Sequence, residues 1–219
     1  MASIPAIVWK TYAPCSLGAR AWAFGRTLLL EFDRILAQAP SRGHFVELGC
    51  GTGILSNLLA LGSDGRSVVG SDANPRVIEI ARATVGQRPN VRFEVARVED
   101  VMLQPPVDVI VAVDLFHHLS AHAQMKAFER IHEALAPGGM FLLKEVDRTP
   151  RWKFYANRLH DAIMDPGNPL CVRHRADYKS ILQELGFEVE VILMHRLVYA
   201  HVLFVARKRG LGADNRTLQ

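Results

Sequence analysis

The stretch Phe45-Val-Glu-Leu-Gly-Cys-Gly-Thr-Gly-Ile-Leu55 constrains this 219-residue chain more than any other. An apolar run, an acid near its end and glycines at 49, 51 and 53 read as a β-strand, a tight loop and the start of a helix. Glycine is needed there because the backbone must turn sharply and approach a ligand with no Cβ in the way. The helix that follows also presents unpaired N–H groups at its start. The spacing narrows the ligand. A dinucleotide fingerprint puts its third glycine three residues beyond the second, so that a pyrophosphate sits on the helix N-terminus. Here Gly53 follows Gly51 by two, and Ile54 stands where that glycine would be. Glu47 would repel a pyrophosphate and suits a ligand that carries an ammonium group.

Arg66-Ser-Val-Val-Gly-Ser-Asp72 reads as a second strand ending in an acid, at the distance from the loop where α/β nucleotide sites place a carboxylate on ribose hydroxyls. An ammonium and a ribose together point to S-adenosylmethionine. Asn74-Pro75 supplies an N-cap and a first-turn proline, and Val77, Ile78, Ile80 and Ala81 give the next helix its buried stripe. With these motifs the chain resembles the class I S-adenosylmethionine-dependent methyltransferases, in the small-molecule branch with His-His-Leu after the fourth strand. The resemblance covers roughly Arg42 to Lys208.

That resemblance implies an α/β fold: a Rossmann-like seven-stranded sheet with an antiparallel last strand and helices on both faces. It implies that Glu47 and the backbone around Gly49, Cys50, Gly51 and Gly53 hold the methionine part of the cofactor, and that Asp72, followed by Ala73, binds the ribose hydroxyls. In the third motif the family has Gly-Asp-Ala-Glu-Asp-Leu, whose first Asp accepts from the adenine amino group. This chain has Ala96-Arg97-Val98-Glu99-Asp100-Val101. Arg97 cannot accept a hydrogen bond, so either Glu99 or Asp100 takes over, or stacking and the backbone N–H of Val98 hold the ring. Val107-Asp-Val-Ile-Val-Ala-Val-Asp114-Leu-Phe-His-His-Leu119 matches the fourth strand and its exit loop, and Asp114, Leu115 and the residues to His118 are expected to face the reacting methyl. Leu135-Ala-Pro-Gly-Gly139 and Met140 to Glu145 match the turn and fifth strand. Phe187–Met194 and Val198–Ala206 are joined so closely that they must be antiparallel.

Length predicts one domain over 1–208: a helical cap (1–40), a cofactor-binding core (42–146), a substrate lid (147–178), then the last helix and strands (179–208), before a flexible tail (209–219). Leu17, Ala21, Phe24, Leu28, Phe32 and Ile35 recur at helical steps and predict one amphipathic helix in the cap. A second stripe, Trp152, Tyr155, Ala156, Leu159 and Ile163, predicts a lid helix, with Arg148, Arg151, Lys153 and Arg158 around it. Aromatic surface beside cations suits a mostly apolar acceptor with an acidic end, small or lipid-like, free or carrier-bound. Peripheral contact with a membrane is compatible with this.

The net charge of +4 invites a nucleic-acid reading, but the basic residues are scattered, and the Pro-Pro-Tyr type sequence of base-amino methylation is replaced by Asp114-Leu-Phe-His. RNA methylation at a 2′-hydroxyl or base carbon stays as the rival within enzymes. A non-catalytic regulator that binds the cofactor is the rival outside them, on the strength of Arg97. No apolar run is long enough to span a membrane, and no basic n-region opens the chain, so a cytoplasmic location is expected. Cys15, Cys50 and Cys171 read as reduced thiols. His117 and His118 are the candidate general bases for an oxygen acceptor, with Glu145 a second choice. No metal site is expected, since Asp114 and Asp147 form the only plausible acidic pair and no adjacent Asp-Asn completes it.

Overall fold

The computed structural model describes residues 2–101, 106–150, 152, 170–196 and 199–210. The chain falls into two compact units, Met1–Met102 and Leu103–Gln219. The seven strands follow the order β3-β2-β1-β4-β5-β7-β6 in a mixed sheet.

The first unit contains helices α1 (Ile4–Thr11), α2 (Leu17–Leu29) and α3 (Phe32–Leu36), then β1 (Gly43–Leu48), α4 (Ile54–Gly62), β2 (Arg66–Asp72), α5 (Pro75–Ala83) and β3 (Val91–Val95). Its three strands are parallel, with Phe45 opposite Val68 and Val68 opposite Val91. Parallel strands are covered on both faces, so β1 and β2 run as near-continuous apolar segments; Phe45, Val46, Leu48, Val68 and Val69 are all buried. Asn74 caps α5 by accepting from the Arg76 amide, with Pro75 in the first turn, as the sequence predicts.

Phe93 of β3 is the reason two glycines cannot be replaced. A Cβ on Gly53 would lie 2.6 Å from the Phe93 ring and 3.0 Å from the Ala81 Cβ, and one on Gly70 would lie 2.7 Å from both Phe93 and Ser56. Gly53 also has φ +82°, in the left-handed region. Backbone strain and overpacking therefore add, and Gly53→Ala is expected to cost about 3 kcal/mol of stability. A denaturant midpoint unchanged from the parent would contradict this.

The cap differs from its sequence reading. The residues from Leu17 to Ile35 do not form one helix, because Leu30 is extended (φ −100°, ψ 137°) and resets the helical phase between α2 and α3. The buried side chains of α2 are Ala23 and Thr27, followed by Leu30, while Leu17 and Leu28 are 71% and 45% exposed. Since α2 is apolar on its outer side too, periodicity selected the wrong face. A further helix, α1, precedes it with Pro5 in its first turn.

The second unit contains β4 (Val107–Val113), a 3₁₀ turn (Phe116–His118), α6 (Ala121–Ala134), β5 (Leu135–Val146), α7 (Arg175–Glu184), β6 (Phe187–Arg196) and β7 (Tyr199–Lys208). β4 and β5 are parallel, while β7 is antiparallel to both β5 and β6. Strand β7 is therefore the reversed strand, lying between β5 and β6. Its residues Val202 to Ala206 are all buried, consistent with its internal position. Phe116, stacked on Phe128 at 4.5 Å, begins an aromatic core that continues through Tyr178 to Phe204. Most of the expected lid, including the helix read from Trp152 onward, falls on 151 and 153–169, outside the described residues; so does the tail beyond 210.

Candidate active site

In the first unit the glycine loop leaves the carboxyl end of β1. Gly49, Gly51 and Gly53 all have positive φ (68°, 54° and 82°), which an L side chain adopts only under strain. The loop is tied to β2: the Cys50 amide donates to the Ser71 carbonyl at 2.8 Å, and the Gly51 amide to Asp72 Oδ2 at 2.9 Å. Asp72 Oδ1 accepts from the Asn74 amide at 2.9 Å. Each carboxylate oxygen has a lone pair to spare, so Asp72 can brace the loop and still accept from ribose hydroxyls. Ala73, the next residue, is exposed.

Three further observations fit a bound amino-acid-bearing nucleoside. Among the described residues, nothing beyond Gly51 and its two chain neighbours lies within 4 Å of where a Cβ on Gly51 would stand, which leaves room for close approach to the loop. Among the described residues the Thr52 hydroxyl is buried without a hydrogen-bond partner, a state that costs free energy unless a ligand satisfies it. Glu47 is buried at 4% exposure and accepts from the Ser56 hydroxyl.

Burial pushes the Glu47 carboxyl up to about 7 from 4.5, against the opposing Ser56 bond and with the Asp72 charge adding to the rise. Between those values the folded chain holds a proton that the unfolded chain has released. This carboxyl therefore favours folding most at low pH, and about 3 kcal/mol is lost as pH rises from 4.5 to 7. An ammonium beside it reverses the preference by stabilising the anion. Cofactor binding just below pH 7 is expected to release a proton, with affinity increasing as pH rises toward 7. Calorimetric titration in buffers of different ionisation enthalpy measures this, and equal apparent enthalpies would contradict it.

Tyr12, which caps α1, was not singled out by its sequence. It is fully buried, and its hydroxyl donates to the Thr52 carbonyl at 2.6 Å, so the cap braces the glycine loop directly. Cys50 is buried, and burial first, then the Glu47 and Asp72 charges, push its thiol far up, which makes it a packing residue rather than a reactive one. Beyond β3, Arg97 and Glu99 are exposed and paired with each other at 3.8 Å, and Val98 between them is half-buried. Their turn is closed by the Asp100 and Val101 amides donating to the Arg97 carbonyl.

In the second unit, β4 is followed directly by Asp114, a non-glycine residue with φ 52°. Its neighbours fix this unusual conformation. The Asp114 amide donates to the Lys144 carbonyl at 2.9 Å, and Lys144 Nζ reaches both Asp114 oxygens at 2.7 and 2.6 Å, with His201 Nε2 3.9 Å away. Lys144 is 1% exposed. Its place in Met140-Phe-Leu-Leu-Lys gave no sign of this, because only the β4–β5 register sets Lys144 beside Val113. Asp147, the other expected acid, is buried against Arg175 at 3.1 Å.

The turn that follows is built on Glu145. This fully buried carboxylate accepts from the Leu115 and Phe116 amides through Oε1, at 3.1 and 2.7 Å, and lies 2.6 Å from His117 Nδ1 through Oε2. His117 is 1% exposed, and its carbonyl accepts from the Cys171 amide. Gln124 joins the same support by donating to the Phe116 and Cys171 carbonyls. His118 is half-buried, its ring 4.3 Å from that of His117. A carboxylate that takes one imidazole N–H fixes both the tautomer and the ring plane of that histidine.

A mixed sheet with β7 reversed, a G-x-G-x-G loop after β1 and an acid closing β2 define the class I S-adenosylmethionine-dependent methyltransferase fold. A family model described as "Methyltransferase domain" matches residues 20–191, and the chain belongs to that family. A trans-aconitate 2-methyltransferase of Methylobacterium nodulans is 32% identical over 114 residues, 52% of this chain and 42% of that protein. A ubiquinone biosynthesis O-methyltransferase of Cereibacter sphaeroides is 32% identical over 126 residues, 55% of this chain and 49% of that protein. The chain thus spans about half the length of the curated relatives it matches. Among solved structures, magnesium protoporphyrin IX methyltransferase of Synechocystis with bound SAH superimposes with a TM-score of 0.65 at 18% identity, over 81% of each chain.

Proposed function

We propose that the chain transfers a methyl group from S-adenosylmethionine to an oxygen of a small or lipid-like molecule. Bound S-adenosylmethionine supplies a methyl group already made electrophilic by its sulfonium. The protein's part is to position the acceptor and take its proton. In this reading Glu47, Asp72 and the glycine-loop amides hold the cofactor, and His118 is the general base. The observation that carries the second assignment is the division of labour within the 3₁₀ turn. Glu145 engages His117 and two amides in a buried anchor, while the neighbouring His118 is half-buried and takes no part in those bonds to Glu145. His117 and Glu145 are then positioning residues. The names of the two curated relatives support a small-molecule acceptor, and one of them supports oxygen.

Incubating the full chain with methyl-labelled S-adenosylmethionine and a host extract, then fractionating the products, tests this. Label in the lipid or small-molecule fraction, lost on alkaline hydrolysis for an ester and retained for an ether, is the expected result. Label in RNA would favour the enzymatic rival. Label in no fraction, with cofactor bound, would favour a non-catalytic role.

A further inference from the structure

We propose that helices α1 and α2 form a docking surface for an anionic lipid membrane. The outer face of α2 is apolar throughout: Leu17, Trp22 and Leu28 are 71, 43 and 45% exposed, and Ala21 lies among them on the same helical side. The inner face, carrying Ala23 and Thr27, packs into the protein, so the exposed apolar residues are not core-facing residues left partly uncovered. The charges of α2, Arg20 and Arg26, fall on the borders between those faces.

Both arginines rest on tryptophan rings. The Arg20 guanidinium lies 4.0 Å above Trp9 of α1 and donates to its carbonyl at 2.7 Å, and the Arg26 guanidinium lies 5.4 Å from Trp22. Amphipathic aromatic rings and cations that extend past an apolar stripe are the side chains that settle at the boundary between acyl chains and headgroups.

Charge identifies the occupant. Residues 1–30 contain Lys10, Arg20 and Arg26 and no acidic residue; the first is Glu31. A second copy of the chain, meeting this face across a two-fold axis, would set cations against the same cations with no carboxylate between them. An anionic lipid surface covers the apolar stripe and neutralises Arg20 and Arg26 at its borders. This inference is independent of the methyl-transfer reading.

Flotation of the full chain with vesicles tests it, comparing phosphatidylcholine alone with an equal mixture of phosphatidylcholine and phosphatidylglycerol. The protein is expected to float with the mixed vesicles only, with a blue shift of tryptophan emission, and to be released by salt. Leu28→Glu, at an exposed position, is expected to weaken partitioning roughly tenfold or more while leaving the melting temperature and cofactor affinity unchanged. Arg26→Glu should weaken it without touching the apolar stripe. Equal flotation with both vesicle types, full flotation of Leu28→Glu, or a solution dimer that Leu28→Glu splits without any vesicle binding would each overturn the proposal.

Discussion

Replacing His118 with alanine is expected to lower turnover by roughly 10²–10⁴-fold while cofactor affinity and unfolding midpoint stay near those of the parent, because general-base catalysis contributes on that scale. The neighbouring substitution has a different signature. His117→Ala strips a fully buried carboxylate of its imidazole partner, and the two amides that remain cannot replace it. Leaving a buried carboxylate short of a hydrogen-bond partner costs about 1–3 kcal/mol or more, so this variant should fail first in stability, with lost activity following from the disordered turn. Unfolding curves and single-turnover rates on both variants separate the roles. Equal turnover in His118→Ala and the parent would remove His118 as the base.

Asp72→Ala should have the largest effect on the cofactor. Its carboxylate accepts the Gly51 amide and the Asn74 amide and, in the proposed complex, the ribose hydroxyls. Hydrogen bonds to a charged group are worth about 1.5–3 kcal/mol each, so loss of the ribose contacts and loosening of the loop together predict a rise in Kd of at least about 100-fold. Asp72→Asn keeps one oxygen acceptor and should fall between. Affinity unchanged in Asp72→Ala would show that the ribose lies elsewhere.

Features written into neighbouring residues were legible before the structure. Gly49, Gly51 and Gly53 adopt the positive φ that their spacing implied, Asn74 and Pro75 open α5, and β6 and β7 pair antiparallel because their connection is too short for anything else. Features decided by distant partners were not. Lys144 reads as a charge near a strand end, yet it is buried against Asp114, which follows another strand. Tyr12 is unremarkable in sequence and acquires its role from a carbonyl forty residues away. The stripe from Leu17 to Ile35 misled for a physical reason: α2 is apolar both inside and outside, so a 3.6-residue period cannot tell core from surface, and the extended Leu30 breaks the phase. In the second unit the sequence marked His117, His118 and Glu145 as chemically capable. Only burial and bonding distinguish the fully buried His117, held by Glu145, from the half-buried His118.

Calorimetric titration of the full chain with S-adenosylmethionine and, separately, with NAD tests the central claim most directly. The glycine spacing, the raised carboxyl of Glu47 and the placement of Asp72 predict saturable binding of S-adenosylmethionine, no binding of NAD, and loss of the signal in Asp72→Ala. Binding of NAD, or no heat with S-adenosylmethionine from a folded chain, would contradict the account.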